Sequence, residues 1–183
     1  REINRQARYS KYSKMIEVVT LEDNKEMTVG KKRAELYKMA KGIYSVQWDS
    51  DDWIHPFAIE MMMEGMTKYK INKSDIEKLP DCITYKELII WDGKRAGTSN
   101  LSLSYTDWKD GFDGYDFVRT PFFKTPIKTS ICLETEIPDI RFGEDHIFAK
   151  NIKAKLKTEK HIDEFIYWYT PYRSEHNDRY GIK

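Results

Sequence analysis

Residues 29–53 read VGKKRAELYKMAKGIYSVQWDSDDW, and this stretch decides the fold. Its first part has a helical pattern. Val29, Leu36 and Ala40 share one face with charges opposite, and Gly42 stands where a helix C-cap is wanted. Residues 43–48, Ile-Tyr-Ser-Val-Gln-Trp, read as a strand, since branched and aromatic side chains suit a pleated surface. The strand runs directly into Asp49-Ser50-Asp51-Asp52. Open α/β sheets bind ligands outside the carboxyl ends of their strands, which is where this acidic turn falls.

Three carboxylates in four residues repel one another, so a fold needs a reason to hold them together. A divalent cation is one such reason. Hard oxygen ligands suit Mg2+ or Mn2+, and a diphosphate can complete the shell. The plainer alternative is an acidic turn that ends the strand and caps a helix at Pro56. An EF-hand is excluded, because the sixth position from Asp49 is Ile54 rather than Gly.

Working outward, residues 15–21 read as a buried strand rich in β-branched side chains, closed by Glu22-Asp23-Asn24. Residues 1–14 suit a short helix. Beyond the acidic turn, a Met-rich helix runs from Pro56 to about Met66, and Ser74-Asp75-Ile76-Glu77 looks like a capped helix start. Strands are expected at 87–91 and 100–105 around Asp92-Gly93, and again at 115–123. A helix is expected from Thr125-Pro126 to Leu133. Another runs from Glu144 to Leu156, with Phe148, Ile152 and Leu156 on one face. Residues 164–169 close the sheet, and 171–183 form a polar tail. This alternation predicts an α/β fold, a mixed sheet flanked by helices.

Two further motifs carry chemistry. Gly143-Glu144-Asp145 opens a helix. Acids favour that position on dipole grounds alone, but a carboxylate on a rigid helix start also suits a general base, with Gly143 admitting a substrate closely. The run Val29 to Arg33 is a basic helix start, whose Arg33 and Lys32 can meet a nucleotide diphosphate.

The bulk numbers bound the rest. The chain has 183 residues, 40% hydrophobic and 33% charged, which predicts one globular domain over 1–183. A net charge of +1 argues against a dedicated nucleic-acid binder. Cys82 and Cys132 make no metal-binding or disulfide pattern. No apolar run reaches the ~20 residues of a membrane span and no signal peptide is visible, so the cytoplasm is the expected location. His55, His146, His161 and His176 are too scattered to name as metal ligands, and Tyr167-Trp168-Tyr169 reads as sheet packing before sugar stacking.

Taken in order, the motifs resemble family-2 type glycosyltransferases of the GT-A fold, especially short versions from phage and other viral genomes. The matching text is VVTLEDN at 18–24, residues 29–53 as quoted, and PDIRFGEDHIFA at 138–149. The resemblance implies a nucleotide-binding part over about 1–54, and an acceptor part with tail over 55–183. It implies a nucleotide-base contact at Asp23, with Glu22 as alternative, and a donor contact at Arg33. Asp51 would hold the metal, Asp49 the ribose or the metal, and Asp145 would be the catalytic base beside Glu144. The implied reaction is metal-dependent, inverting transfer from a nucleotide sugar, a UDP-sugar first of all, in the host cytoplasm if the chain is viral. The acceptor is left open among glycan, modified DNA base and protein.

Two positions depart from the pattern. Family members place Asn after the Arg where this chain has Ala34. They also begin with an apolar strand lining the base pocket, and none precedes Ile3. Either that strand lies upstream, or the nucleotide site is incomplete. The second case favours a degenerate domain acting as a binding or structural module. Paired Asp residues also serve metal-dependent nucleotidyltransferases, against which the Gly-Glu-Asp helix start favours sugar transfer.

Overall fold

The computed structural model describes residues 2–67 and 73–170. The elements run α1 (Glu2–Tyr9), α2 (Val29–Met39), β1 (Tyr44–Ser45), β2 (Trp53–Ile54) and α3 (Ala58–Thr67), and then a 3-10 turn at Lys73–Lys78. The second half runs β3 (Cys82–Trp91), β4 (Lys94–Leu101), β5 (Lys109–Phe112), β6 (Tyr115–Arg119), β7 (Ile127–Lys128), α4 (Thr129–Leu133), α5 (Glu144–Lys153) and β8 (Glu159–Tyr169).

The sheet is built around β3. On one side β8 runs parallel to it from Cys82 to Ile89. On the other, β4 returns antiparallel through the Asp92-Gly93 turn, and β7 pairs at Cys82. β6 extends the sheet parallel to β4 and carries β5, while β1 hangs on β7 and β2 on the end of β8. Both parallel and antiparallel pairs are present, so the sheet is mixed, as expected. Ile83, Tyr85, Leu101, Val118, Ile127, Ile166 and Tyr167 are fully buried along it. Phe123 stacks on Phe148 of α5 at 4.2 Å, and Tyr37 of α2 stacks on the same ring at 6.0 Å. That aromatic stack fixes α2 and α5 to the same part of the core.

Several local expectations are corrected. Residues 16–22 form no strand ladder and are not buried; Val18 is 41% exposed. Their composition suits a strand, but pairing needs a neighbouring edge, and they face a groove instead. The strand expected over 43–48 is ladder-paired only at Tyr44–Ser45. α2 ends at Met39 with Ala40 extended, so Gly42 is not its cap. Gly42 instead donates its backbone N–H to Glu17 at 3.0 Å. The strand placed at 100–105 lies at 94–101, and β3 and β8 begin earlier than their apolar runs suggest. The stretch 125–133 is a short strand and then a short helix. The tail 171–183 lies outside the described residues.

Candidate functional site

Gly30 is the first determinant of the site. A Cβ there would lie 1.9 Å from the Pro138 carbonyl oxygen. Its N–H donates to the Ile140 carbonyl at 3.1 Å. Only glycine lets α2 approach the 138–144 segment this closely. Thr28 caps the helix by accepting from Lys31 N at 3.1 Å, and its hydroxyl donates to Asp139. The start of α2 is thereby fixed against the segment that leads into Glu144 and Asp145.

One turn further on, Arg33 uses that proximity. Its Nε donates to Glu144 Oε1 at 3.3 Å and its Nη2 to Asp49 Oδ1 at 3.1 Å. The guanidinium lies over the Phe123 ring at 4.6 Å, while Gln47 Nε2 donates to the Arg33 carbonyl at 2.9 Å. Burial opposes the Arg33 charge, but Asp49 and Glu144 outweigh it and hold its pKa above the ordinary value. Glu144 is 8% exposed. Burial raises its carboxyl above the usual range, with Arg33 opposing and Asp145 adding to the rise. Three motifs far apart in sequence thus meet at one side chain.

The acidic turn divides its labour. The Asp52 side chain points inward and is 2% exposed. It accepts from the Tyr167 hydroxyl and from Thr170 N at 2.7 Å, with Lys124 Nζ at 3.6 Å. The Tyr167 hydroxyl also accepts from Asp49 N at 3.3 Å, and Thr170 Oγ1 donates to the Asp51 carbonyl at 2.7 Å. Burial and the Asp52 charge push the Tyr167 pKa far up, so its hydroxyl stays a donor. Asp49 and Asp51 remain toward solvent. Loss of solvation, then the charges of Asp52 and Asp49, raise the Asp51 carboxyl, with its own backbone N–H and Lys124 opposing.

These residues end a groove of about 1360 Å³. Its walls are residues 16–22 on one side and 43–52 on the other, with Lys32 and Arg33 from α2. Glu22 lines it and Asp23 does not. Asp23 binds the Lys32 ammonium and accepts from Met27 N at 2.8 Å, closing its own turn. Asp145 does not line the groove either. It sits half-buried on the first turn of α5 and accepts from His146 N at 2.8 Å. Gly143 caps that helix at φ 81°, and a Cβ added there would meet nothing within 4 Å, so its left-handed backbone rather than a tight contact calls for glycine. His161 bonds to Thr84 six residues along β8 from Tyr167, about 20 Å away, and completes no site with Asp51. His176 lies outside the described residues. Among the described residues no group of three His, Cys, Asp or Glu is arranged to hold a metal.

Sequence reasoning misses Tyr167, Thr170 and Lys124 as site residues. Tyr167 reads as packing, and nothing local marks the other two.

The architecture is that of a GT-A-like α/β domain, a mixed sheet flanked by helices. It recurs in S. aureus TarS 1–349, with 18% identity and a TM-score of 0.56, covering 87% of this chain and 45% of that one. In TarS 1–349 in complex with UDP-GlcNAc the values are 16%, 0.59, 97% and 47%. The chain spans less than half the length of these structures, and the likeness is one of fold. No protein-family pattern and no curated protein sequence matches the chain. No helix among the described residues is long and apolar enough to cross a membrane.

Proposed function

We propose that the chain transfers a sugar from a nucleotide-sugar donor, in the first instance a UDP-sugar, to an acceptor hydroxyl. The observation that carries this is the Arg33 bridge between Asp49 and Glu144 at the end of the groove. It joins the basic helix start, the acidic turn and the Gly-Glu-Asp helix start in one constellation. The UDP-GlcNAc complex of TarS supports the donor class.

The donor set suits Mn2+ or Mg2+ held jointly with substrate. Asp51, exposed, and Asp49, half-buried and paired with Arg33, are hard ligands too few for a cage, so diphosphate oxygens and water would complete the shell. A bound cation would offset the charge building on the leaving diphosphate. Arg33 adds fixed positive charge beside it. Lys32 and Glu22 face the groove, whereas Asp23 must release Lys32 to reach a base. The acceptor oxygen attacks the anomeric carbon, the bond to the diphosphate oxygen breaks, and its electron pair leaves with the nucleotide. Asp145 takes the acceptor proton. A single displacement inverts the anomeric centre.

An apolar first strand of the kind the resemblance implies would lie along the groove that residues 16–22 and 43–52 line. Seated there, it would narrow the groove and floor the base pocket. The short viral kind of enzyme, acting in a host cytoplasm on a glycan, a modified DNA base or a protein, remains the form of this proposal. The open, partly apolar groove is what favours the second reading, a binding or structural module. A panel of nucleotide sugars with Mn2+, read for released nucleoside diphosphate, separates the two. Calorimetry with UDP and Mn2+ should show binding to the wild type and none to Asp51→Ala. Equal affinity would remove Asp51 from the metal site.

A further inference from the structure

The acidic turn holds one more carboxylate than a diphosphate-bound cation needs, and the structure uses it elsewhere. The Asp52 side chain is buried at the groove's edge, where it accepts hydrogen bonds from Tyr167 and Thr170 and pairs with the Lys124 ammonium at 3.6 Å. The single Tyr167 hydroxyl reaches both ends of the turn, donating to Asp52 and accepting from the Asp49 N–H. Thr170 Oγ1 adds a bond to the carbonyl of Asp51. Lys124, beneath the turn, lies 4.5 Å from the Tyr167 ring and 4.0 Å from the Tyr169 ring. The turn itself contributes one weak internal bond, Asp52 N to Asp49 O at 3.4 Å. Its shape therefore comes from the end of β8, with Arg33 of α2 holding the Asp49 side chain, rather than from its own backbone.

We infer that Tyr167 and Asp52 are positioning residues, a latch that holds Asp49 and Asp51 at the separation needed to share one divalent cation with a nucleoside diphosphate. This rests on the donor-site proposal above. It assigns no ligand role to either residue. Without the latch the two carboxylates must be ordered by the cation itself, so the loss falls on metal affinity and leaves proton transfer untouched. The latch acts on the distance between ligands, together with the Arg33 bond to Asp49. Chemistry at saturating metal is set by groups on α2 and α5.

The test is Tyr167→Phe, which keeps the ring beside Trp48 (centroids 6.1 Å apart) and deletes only the hydroxyl. Mn2+ binding with UDP present is read from the free-ion electron paramagnetic resonance signal, independently of turnover. The expected result is ~10-fold weaker Mn2+ binding, the scale of a lost charge-assisted hydrogen bond. With a UDP-sugar as donor, KM for Mn2+ should rise in step, with kcat restored at saturating Mn2+. Thr170→Val, nearer the surface, should weaken Mn2+ binding ~3-fold by the same route, and it decides the matter if Tyr167→Phe does not fold. Wild-type Mn2+ affinity in a folded Tyr167→Phe, or in Thr170→Val if only that folds, overturns the latch alone. A wild type that binds no Mn2+ with UDP overturns the donor-site proposal and the latch with it.

Discussion

The two halves of the site are held by different forces. β3, β4 and β8 form long, continuous ladders with fully buried side chains between them. Apart from α2, residues 16–54 contain only the two-residue strands β1 and β2; besides a few single backbone bonds such as Gly30 N to Ile140 O and Gln47 N to Phe123 O, they are positioned by side chains: Glu17 on Gly42, Arg33 on Asp49 and Glu144, Asp52 on Tyr167 and Thr170. A ladder spreads its stability over many backbone bonds. A side-chain tether concentrates it in single residues. Substitutions at the tethers of the first half should therefore cost binding and stability together, one residue at a time, while core substitutions in the second half should act through loss of packing.

Arg33→Ala is the sharpest attempt to break that contrast. It strands Glu144 in a buried position and uncovers the Phe123 ring. Loss of one partner of a buried ion pair costs about 3 kcal/mol or more. Chemical denaturation should show such a loss, and UDP affinity should fall with it. Phe148→Ala removes a stacked core ring and should cost a similar ~3–5 kcal/mol, yet spare UDP affinity in the protein that remains folded. If both variants lose affinity equally, the halves are not separable.

The pair Glu144 and Asp145 tests the same division within one helix turn. Asp145→Asn should lower turnover ~10²-fold with donor affinity and stability unchanged, the scale of a lost general base. Glu144→Gln should act on Arg33 instead, disturbing donor binding more than proton transfer. Transfer rates and UDP affinity measured side by side decide this. A near-normal rate in Asp145→Asn moves the base elsewhere.

Filling the groove should sharpen the difference between halves. Ile3 lines it, so a short apolar strand fused ahead of residue 1 can reach both extended walls. Ladder bonds would then replace side-chain tethers, and UDP should bind several-fold tighter, as a pre-ordered pocket does, by about 1 kcal/mol. Unchanged affinity would mean that the base pocket is built from other residues.

What is legible in the sequence follows the same line. α2, α5 and the Asp92-Gly93 turn depend on local periodicity and turn chemistry, and they appear where expected. The strand expected at 15–21 fails because composition reports a preference for extended backbone, not the presence of a partner edge. The meeting of Arg33 with Glu144, 111 residues apart, can be anticipated only through the family resemblance. The inward turn of Asp52 is not legible at all, because it depends on Tyr167 and Thr170 arriving from the far end of β8. Gly30 is visible as a letter in a motif, but its reason, the Pro138 carbonyl, is tertiary.

The smallest expected effect belongs to the ladder half and depends on pH. Glu87 sits on β3 with 5% exposure, and its Oε1 has no hydrogen-bond partner. Burial is the largest influence on its carboxyl and raises its pKa; Asp52 adds to the rise, while Lys124, Ser99 and Arg119 oppose it. The folded state therefore holds this proton more tightly than the unfolded chain, whose value is near 4.5. More protons bound by the folded state means that unfolding free energy falls as pH rises. The fall begins near pH 4.5 and ends once pH passes the raised value. Glu87→Gln keeps the shape, removes the titration, and should flatten that segment of the curve. Melting temperatures at closely spaced pH values, wild type against variant, give the answer. The variant should gain on the wild type as pH rises and match it most nearly at the acid end. Parallel curves would mean that Lys124 stabilises the ionised carboxylate as well in the folded protein as water does in the unfolded chain. The charge beneath the acidic turn would then be shared between Asp52 and Glu87, and the ladder half would carry part of the electrostatics otherwise left to the tethers alone.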